Sequence, residues 1–280
     1  MNLLNPFLVY QRRGRIKPRL RWGVCKLHKA ANAHGIPITA NDRRLLAFKD
    51  KHKGQRCFIV ANGPSLRMED LDRLRGEITL ASNKIYLAFG KTNWRPTYYV
   101  VCDYLVAENN RATILQLDLF KIFSEAQKPI LGKPAKRKLF YRELGDGFGQ
   151  NEEYHGAFSK NALIGIEASE TVTTTHIQLA FYMGCNPIYL IGLDGRYVIP
   201  QTMTDHPVYN RVLVSQGERN HFVENYHVPG ETWGIPKPES HEIGYSLARQ
   251  VIEQRDGTIL NASRVSFVKA FERIDFDSLF

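Results

Sequence analysis

The sequence lacks both of the standard phosphate-binding motifs. No G-x-G-x-x-G follows its first apolar run, and no G-x-x-x-x-G-K-[ST] occurs, so ordinary dinucleotide chemistry and P-loop hydrolysis of ATP are disfavoured. None of the predicted strands described below ends in a D-x-D triplet, which argues against a transferase that depends on a carboxylate-bound metal. We therefore expect no bound metal ion and no resident cofactor.

Cysteines and long apolar runs are also scarce. The four cysteines are scattered and form no C-x-x-C pair, which argues against a disulfide framework and a zinc site. No apolar run approaches the roughly 20 residues that a membrane-spanning helix needs. The basic residues near the N-terminus follow its apolar run, which is the reverse of a secretory signal. We therefore expect a cytoplasmic protein.

Acidic residues are nearly missing from the first fifth of the chain. Residues 1–56 contain 14 Lys and Arg but two Asp and Glu, whereas the rest contains 24 and 26. Residues 1–55 are predicted to form a separate basic arm, with an amphipathic helix after Pro18. The sequence contains no recognisable nucleic-acid-binding motif, so we expect no nucleic-acid partner. Docking on an anionic membrane surface, at the inner membrane face, and a solvated extension without a partner both stay open.

From Arg56 onward, short apolar runs alternate with segments that favour helices. The runs are CFIVAN, EITLASN, PTYYVVCD, PIYLIGLD and TILNAS, and the predicted helices occupy residues 68–74, 105–117, 173–183 and 241–253. Near-continuous apolar strands separated by helices indicate a mostly parallel sheet with helices on both faces. Residues 56–280 are therefore predicted to form one α/β, Rossmann-like nucleotide-binding catalytic domain. Its long segment 195–238 is predicted to be a lid or acceptor loop.

The first predicted strand ends abruptly in Asn62-Gly63-Pro64-Ser65. Gly63 permits a close approach to the backbone. Pro64 suits the first position of a helix, because its missing N–H is not needed there. The open N-terminus of a helix presents free N–H groups and a positive dipole to an anion. The turn is therefore predicted to hold a negatively charged group.

Other predicted strands also end in polar or glycine residues, and in open α/β sheets ligands bind beyond the carboxyl ends of the strands. The residues at these ends are Ser82, Asn83, Lys84, Asp103, Tyr104, Gly192, Asp194, Tyr197, Asn261 and Ser263. Their convergence predicts a nucleotide site. Taken singly, Asn62 and Asn83 could merely cap turns, and Asp194 could only tie down the loop that follows it. Asp103 could pair with a lysine or an arginine instead of a ligand.

Five segments carry a resemblance to known families. They resemble segments of the bacterial sialyltransferases of glycosyltransferase family 42. In chain order the segments are FIVANGPSL, ASNKIYLAF, YYVVCDYLVAE, TVTTTHIQLAFYMGCNPIYLIGLD and RNHF. The same segments resemble still more a related family of 6-hydroxymethylpterin pyrophosphokinase-like proteins. The likeness covers residues 56–280, leaves the basic arm unmatched and implies a GT-A variant of the Rossmann-like fold. Both families have the N-G-P-S-L turn, so the turn does not separate their reactions.

The resemblance to the sialyltransferases implies roles for single residues. It places the CMP part of a CMP-sialic acid donor against Asn62, Gly63, Ser65 and Asn83. Asp103 stands where that family has an asparagine.

The same resemblance implies how the phosphate of the donor is held. At the entry to the central helix, the glycine-rich segment of the family is replaced by Thr171, Thr173 and Thr174. Ser169 aligns with an arginine of the family. The expected source of phosphate stabilisation is therefore Lys84 or Arg196.

The catalytic base of the sialyltransferases is a loop histidine in the context N-S-H-Y, and the resemblance carries this role onto His221 in RNHF. The residue type suits the chemistry, because an acceptor hydroxyl must lose a proton near neutral pH and histidine has a pKa of about 6.5. Tyr197 or Tyr226 could hydrogen-bond the phosphate of the leaving group in place of a metal. His206 and His227 lie in the same segment and stay rivals to His221.

Together these observations predict a metal-independent glycosyltransferase. It would transfer a sialic-acid-like or Kdo-like ulosonic acid from a CMP-activated donor to a surface-glycan or lipid-linked glycan acceptor. The alternative is Mg-ATP-dependent transfer of diphosphate to hydroxymethylpterin, for which Asp103 and Asp194 could hold Mg²⁺. The third possibility is a nucleotide-binding protein without catalytic activity. The sequence does not predict the donor sugar, the acceptor, the linkage or the oligomeric state.

Overall fold

The computed structural model describes residues 27–146 except residue 29, and residues 153–280 except residue 208. Thirteen strands are found in this part of the chain. In chain order they are β1 Cys57–Val60, β2 Ile78–Ser82, β3 Tyr98–Val101, β4 Lys121–Ser124, β5 Lys138–Tyr141, β6 Glu143–Leu144, β7 Ile166–Glu167, β8 Ile188–Ile191, β9 Met203–His206, β10 Asn210–Val214, β11 Thr232–Trp233, β12 Ile259–Asn261 and β13 Glu272–Arg273.

Seven α-helices have both ends within the described residues; the first precedes β1 and the other six connect strands. They are α1 Ala40–Leu46, α2 Met68–Arg73, α3 Tyr104–Asn109, α4 Arg111–Gln116, α5 Lys128–Leu131, α6 Val172–Tyr182 and α7 Pro238–Glu253. Short 3-10 helices cover Asn83–Ala88, Glu125–Gln127 and Phe276–Leu279. No helix within the described residues is long and apolar enough to cross a bilayer.

Eight strands form one sheet in the order β13-β12-β8-β1-β2-β3-β4-β5, and every pair of neighbours in it is parallel. From β1 the chain moves outward through β2 to β5 and then returns to the other side of β1 at β8. This reversal puts the topological switch point between β1 and β8, where open α/β sheets bind their ligands. The predicted Rossmann-like α/β fold with a parallel sheet is confirmed.

Each face of the sheet buries its own apolar cluster, because successive side chains of a strand point to opposite sides. Ile59 and Leu80 pack on one face together with Ile177 of α6. Phe58 and Ala81 pack on the other face, together with Leu71 of α2 and other side chains. Strands buried on both faces read as continuous apolar runs, which is why the sequence located them.

The structure revises the predicted boundary after residue 55. Leu45 of α1 and Phe48 lie in the apolar core. The Asn41 side chain donates to the Phe140 carbonyl (2.6 Å) and accepts from the Phe140 N–H (3.0 Å), so it pairs with edge strand β5 like a peptide unit. Residues 40–55 are therefore part of the folded unit. Asn32 is also buried and donates to the Leu163 carbonyl (2.8 Å), while residues 1–26, which include most of the helix predicted after Pro18, lie outside the described residues.

The segment 195–238, predicted to be a loop, contains regular structure. Strands β9, β10 and β11 form a small antiparallel sheet within it. The part that follows β10, residues 215–233, packs down on the carboxyl end of the large sheet through contacts described below. The segment is thus a folded cover over the strand ends and not an unstructured lid.

Candidate functional site

The turn after β1 binds a negatively charged group of the protein itself, the Asp194 carboxylate. Ser65 donates its N–H to Oδ2 of Asp194 (2.9 Å) and its hydroxyl to Oδ1 (2.5 Å). Burial raises the pKa of Asp194, while these hydrogen bonds and the charge of Arg273 oppose the shift. Ser65 and Asp194, predicted to contact a nucleotide, are therefore engaged with each other across the switch point. The alternative of a structural role for Asp194 fits this geometry, but the segment that its carboxylate holds is the turn after β1 and not the loop that follows Asp194.

Pro64 does not begin a helix. Leu66 donates its N–H to the carbonyl of Gly63 (3.1 Å), which closes a turn over residues 63–66, and helix α2 begins only at Met68. The prediction of an open helix N-terminus at this turn is wrong, because the turn intervenes and the Ser65 N–H is already bonded to Asp194.

Gly63 is required by the protein's own packing. A Cβ on Gly63 would lie 2.5 Å from the Gly192 carbonyl oxygen and 2.5 Å from Oδ1 of Asp194. Gly192 has φ of 64°, a conformation that favours glycine, and its carbonyl accepts the Gly63 N–H at 2.8 Å. The close backbone approach predicted at Gly63 is thus an approach to the β8 turn, and the prediction that it serves a ligand is not needed to explain the glycine.

The change Gly63→Ala is expected to lower the free energy of unfolding by about 1–3 kcal/mol, the usual cost of overpacking. The added methyl group would overlap both the backbone of the β8 turn and the Asp194 carboxylate, so both must shift. Urea unfolding measures the effect. Gly90→Ala is the matched control, since nothing lies within 4 Å of its Cβ position. Equal stability of the two variants would contradict this account of Gly63.

Three polar groups at the ends of β1 and β2 are buried without a hydrogen-bond partner among the described residues. They are Oδ1 of Asn62, Oγ of Ser82 and Oδ1 of Asn83. The three are neighbours, because Asn62 donates its Nδ2 to the Ser82 carbonyl (3.3 Å). Asn83 has φ of 54°, a left-handed conformation that costs free energy outside glycine and clusters at functional sites. An unpaired buried acceptor is unfavourable, so this group of acceptors calls for a donor.

A buried ion pair holds the covering segment to the end of β2. Nζ of Lys84 lies 2.5 and 2.7 Å from the carboxylate oxygens of Glu231 and donates to the Tyr226 carbonyl at 2.7 Å. The side chains of Lys84 and Glu231 are 7% and 11% exposed, so water screens the pair weakly. Lys84, predicted to stabilise a phosphate, is neutralised by Glu231. Sequence reasoning missed Glu231.

Four aromatic rings stack above this ion pair. His221 lies flat on Tyr226, with ring centroids 3.7 Å apart, and His227 stacks on Trp233 at 5.1 Å. His227 is nearly buried and lies 3.7 Å from Glu231, so it belongs to the packing of the segment. His221 remains partly exposed, and its Nδ1 is buried without a partner among the described residues.

His221 lies beside the unpaired groups of β1 and β2. The next residue, Phe222, donates its N–H to the Asn62 carbonyl (3.0 Å), and the Tyr226 hydroxyl accepts the Lys84 N–H (3.1 Å). We call this place the β1–β2 crevice and define it by Asn62, Ser82, Asn83, His221 and Tyr226. Burial lowers the pKa of His221 well below its usual value, and the charges of His227 and Lys84 add to the shift. The ring is therefore neutral near pH 7, and its lowered pKa makes it a weaker base than an ordinary histidine.

The remaining predicted nucleotide contacts lie apart from the crevice or point elsewhere. Thr173 and Thr174 are buried in the first turn of α6, where Oγ1 of Thr174 donates to the Thr171 carbonyl (2.9 Å). Tyr197 packs against His241, with ring centroids 6.2 Å apart, and its pKa is raised to about 12 by burial and by the charge of Asp194.

Two further strand ends support loops. Asn261 accepts the Ser263 N–H (3.0 Å) and donates to Ser266 (2.9 Å), while Ser263 accepts the Leu193 N–H (2.9 Å).

His206, a rival base, packs against Tyr104 and Tyr209, and its Nε2 lies 4.0 Å from Glu108. Its neighbours are thus at the end of β3 and not at the crevice.

Asp103 and Asp194 are not arranged to share a metal ion. They follow β3 and β8, which β1 and β2 separate, so three strand spacings put the two strands about 14 Å apart. Magnesium holds its ligands at about 2.1 Å. Asp103 instead caps helix α3, where Oδ1 accepts the Val106 N–H (3.1 Å). No group of three or more His, Cys, Asp or Glu within the described residues is placed to hold a metal ion.

The sequence contains two D-x-D triplets, at residues 70–72 and 275–277, neither of which follows a strand that the sequence predicted. Their carboxylates are engaged by the protein. Arg264 bridges Asp70 (2.7 Å) and Asp277 (2.6 Å), and Asp72 accepts the Thr92 hydroxyl (2.7 Å). These triplets therefore stabilise the packing of α2 against the chain end.

The fold and the crevice define a doubly wound, Rossmann-like α/β protein with unpaired polar groups at its strand ends. A family model described as 6-hydroxymethylpterin diphosphokinase MptE-like matches residues 34–199, more than half of the chain, so the chain belongs to that family. The suspected relation to these proteins is confirmed. The matched range includes Asn62, Asn83 and Asp103 but ends before His221 and Glu231.

Several solved structures are similar to the chain, among them two transferases. The first is the MAf glycosyltransferase from Magnetospirillum magneticum AMB-1, with a TM-score of 0.49 and 15% identity over 95% of this chain and 43% of that one. The chain thus spans less than half of that protein. The second is a mammalian sialyltransferase in complex with Gal-beta-1-3GalNAc-ortho-nitrophenol, with a TM-score of 0.37 and 11% identity over 95% and 89%. No curated protein sequence matches the chain.

Proposed function

We propose that the chain is a metal-independent glycosyltransferase that binds a CMP-activated ulosonic acid in the β1–β2 crevice. The observation that carries the proposal is the set of unpaired acceptors on Asn62, Ser82 and Asn83 beside the partly exposed ring of His221. A ligand with N–H and O–H donors, such as a cytosine base and its ribose, would satisfy these acceptors. The left-handed conformation of the half-buried Asn83 fits the same purpose.

The charge of the crevice supports a monophosphate donor over a triphosphate. The nearest cation, Lys84, is neutralised by Glu231 at 2.5 Å, and the Ser65 N–H is occupied by Asp194. Transfer of a diphosphate from ATP concentrates negative charge and relies on metal ions and cations to neutralise it. The carboxylates predicted to hold Mg²⁺, Asp103 and Asp194, lie on strands too far apart to bind one ion.

His221 is the proposed general base. Its ring position is fixed by the stack on Tyr226, and it is neutral near pH 7. Such a ring can take the proton of an acceptor hydroxyl as that oxygen attacks the anomeric carbon of the sugar, while the bond from that carbon to CMP breaks. Of its rivals, His227 is nearly buried between Trp233 and Glu231, and His206 packs at the end of β3.

A second candidate function is diphosphate transfer from ATP to 6-hydroxymethylpterin. The family to which the chain belongs is described by that reaction. The crevice residues Asn62, Ser82, Asn83, His221 and Tyr226 include no carboxylate to ligate Mg²⁺, and Asp103 and Asp194 follow strands that are three strand spacings apart. Docking of the basic arm on an anionic membrane, which would bring the enzyme to a lipid-linked acceptor, stays a prediction about residues 1–55.

Thermal unfolding with CMP, CDP, UDP and ATP, each with and without Mg²⁺, distinguishes these functions. We expect CMP to raise the melting temperature most and without a metal, because a ligand that binds only the native state stabilises it. Stabilisation by ATP alone, with an absolute requirement for Mg²⁺, would favour the diphosphokinase and contradict the proposal.

Asn83→Gly provides the matched variant for that experiment. Glycine adopts the left-handed conformation of Asn83 without strain and lacks the amide. We expect the variant to keep the melting temperature of the wild type and to lose at least nine tenths of the affinity for CMP. Wild-type affinity in this variant would remove Asn83 from the nucleotide site.

A further inference from the structure

A second group of polar side chains lies beside the crevice, at the carboxyl ends of β3, β4 and β5. We call it the β3–β5 cluster and define it by Asp103, Ser124, Tyr141, Glu143 and Tyr209. Its two carboxylates are Asp103, which follows β3, and Glu143, which follows β5. One strand, β4, lies between β3 and β5. Oε2 of Glu143 accepts the Ser124 hydroxyl (2.9 Å), while Asp103 and Glu143 both remain partly exposed.

Each carboxylate uses one oxygen for the fold and leaves the other available. Oδ1 of Asp103 caps α3, whereas Oδ2 makes no hydrogen bond within the described residues and faces Gly234, 3.9 Å from the position of a Cβ there. Glu143 likewise bonds only through Oε2. Burial raises the pKa of both carboxyl groups, while the N–H groups of Val106 and Leu105 at Asp103 and the Ser124 hydroxyl at Glu143 oppose the shift.

Two almost completely buried polar groups in the same place lack partners among the described residues. The Tyr141 side chain is 1% exposed, and its hydroxyl has no hydrogen-bond partner of standard geometry among the described residues; burial, Cys102 and Glu143 raise its pKa, while the nearby Thr175 hydroxyl lowers it. Gln127 is 1% exposed, and its Oε1 is unpaired while its Nε2 donates to the Asp103 carbonyl (3.0 Å). Unpaired groups of this kind are unfavourable unless something satisfies them.

Aromatic rings from the covering segment flank the cluster. The Tyr209 hydroxyl accepts the Tyr104 N–H (3.1 Å), and burial together with the charges of Asp103 and Glu143 raises the pKa of Tyr209. Its ring lies 5.6 Å from His206 and 6.5 Å from Tyr104. The site therefore combines hydrogen-bond acceptors with flat apolar faces.

We propose that the β3–β5 cluster binds the second substrate, an uncharged ring compound that donates hydrogen bonds to Asp103 and Glu143. Ionised carboxylates only accept hydrogen bonds, so the ligand must supply the donors. The negative charge disfavours an anionic acceptor such as a uronic or sialic acid. The proposal rests on the proposed transferase function, which requires an acceptor next to the nucleotide. A neutral sugar and a pterin share this chemistry, and the test separates them.

The experiment is ligand-observed NMR with the full chain and three probes: methyl β-galactoside, glucuronic acid and 6-hydroxymethylpterin. We expect the neutral sugar to bind and glucuronic acid to bind at least tenfold more weakly. Binding of the pterin in place of the sugar would keep the cluster as the second-substrate site and overturn the glycosyltransferase assignment. Preference for glucuronic acid, or no binding of any probe to the wild type, would overturn the inference.

Two near-isosteric variants locate the binding. Glu143→Gln removes the charge and Tyr141→Phe removes the unpaired hydroxyl; each is expected to weaken probe binding at least tenfold. Both should keep the melting temperature and the stabilisation by CMP, which reports on the crevice separately. Glu272→Gln, on the exposed edge strand β13, is the control. Wild-type probe binding by both variants would overturn the inference even if CMP binds as expected.

Discussion

Replacing His221 by alanine is expected to lower the turnover of glycosyl transfer by roughly 10²–10⁴, the usual contribution of a general base, with little change in donor affinity. The expected loss follows from the position of the ring in the β1–β2 crevice and from its neutral state. Because His221 stacks on Tyr226, alanine also removes packing. His221→Phe keeps a ring over Tyr226 but cannot accept a proton, and it should lose as much turnover while retaining thermal stability.

The pH dependence gives this prediction a second readout. The pKa of His221 is lowered by burial and by neighbouring positive charge, so the base stays unprotonated to a lower pH than an ordinary histidine. The acidic limb of kcat/KM should therefore have its midpoint below pH 6.5. Full activity of His221→Ala, together with loss of activity in His206→Ala or His227→Ala, would show that another histidine is the base.

The sheet could be predicted because its strands carry a local signal. CFIVAN and PIYLIGLD are buried on both faces, so they are apolar throughout, and the polar residues that end them mark the carboxyl edge. Asn62 and Asn83 were placed correctly at that edge, and the structure brings them together through the Ser82 carbonyl. The polar helix predicted over residues 105–117 is divided into α3 and α4 at Asn110.

The use of each polar residue could not be predicted, because it depends on partners distant in the chain. Ser65 and Asp194 are 129 residues apart, and Lys84 and Glu231 are 147 residues apart. A serine or lysine after a strand has the same sequence signature whether it meets a phosphate or a carboxylate of the protein. Ser65, Lys84 and Asp194 were predicted to contact a ligand, but each pairs with another residue of the protein.

The segment 195–238 carries a weak signal for a further reason. Strand β9, MTDH, is mostly exposed and lacks an apolar alternation, so only its pairing with β10 identifies it. Trp233 of β11 stacks on His227, and neither residue lies in a local sequence pattern that predicts this contact. The covering role of the segment follows from three-dimensional packing alone.

Loss of the Lys84–Glu231 ion pair is expected to have the largest effect on stability. Lys84→Met leaves Glu231 buried without its cation and should lower the free energy of unfolding by about 3–5 kcal/mol, as for other broken buried pairs. Lys237→Met is the matched control, because the Lys237–Glu170 pair is half exposed and surface pairs contribute about 0–1 kcal/mol. Urea unfolding measures both variants.

The double variant Lys84→Met, Glu231→Leu distinguishes the ion pair from the packing of the two side chains. Replacing both partners by apolar residues removes the unpaired charge, so it should recover much of the stability lost in Lys84→Met. If the double variant is as unstable as the sum of the single variants, the pair is not a coupled unit. Recovery of stability without recovery of CMP binding would show that the pair positions the crevice as well as stabilising the fold.

The same pair predicts a loss of stability in acid. Burial opposes ionisation of Glu231, but His227 and Lys84 outweigh it and lower the pKa to about 2. A carboxyl group whose pKa is lower in the folded state contributes stability that is fully present above its unfolded pKa, about 4.3, and is lost as pH falls toward 2. Between these values the wild type should lose more stability than Glu231→Gln does. Parallel pH profiles for the two proteins would mean that Glu231 is not held ionised by Lys84, and the covering segment would then need another anchor at the end of β2.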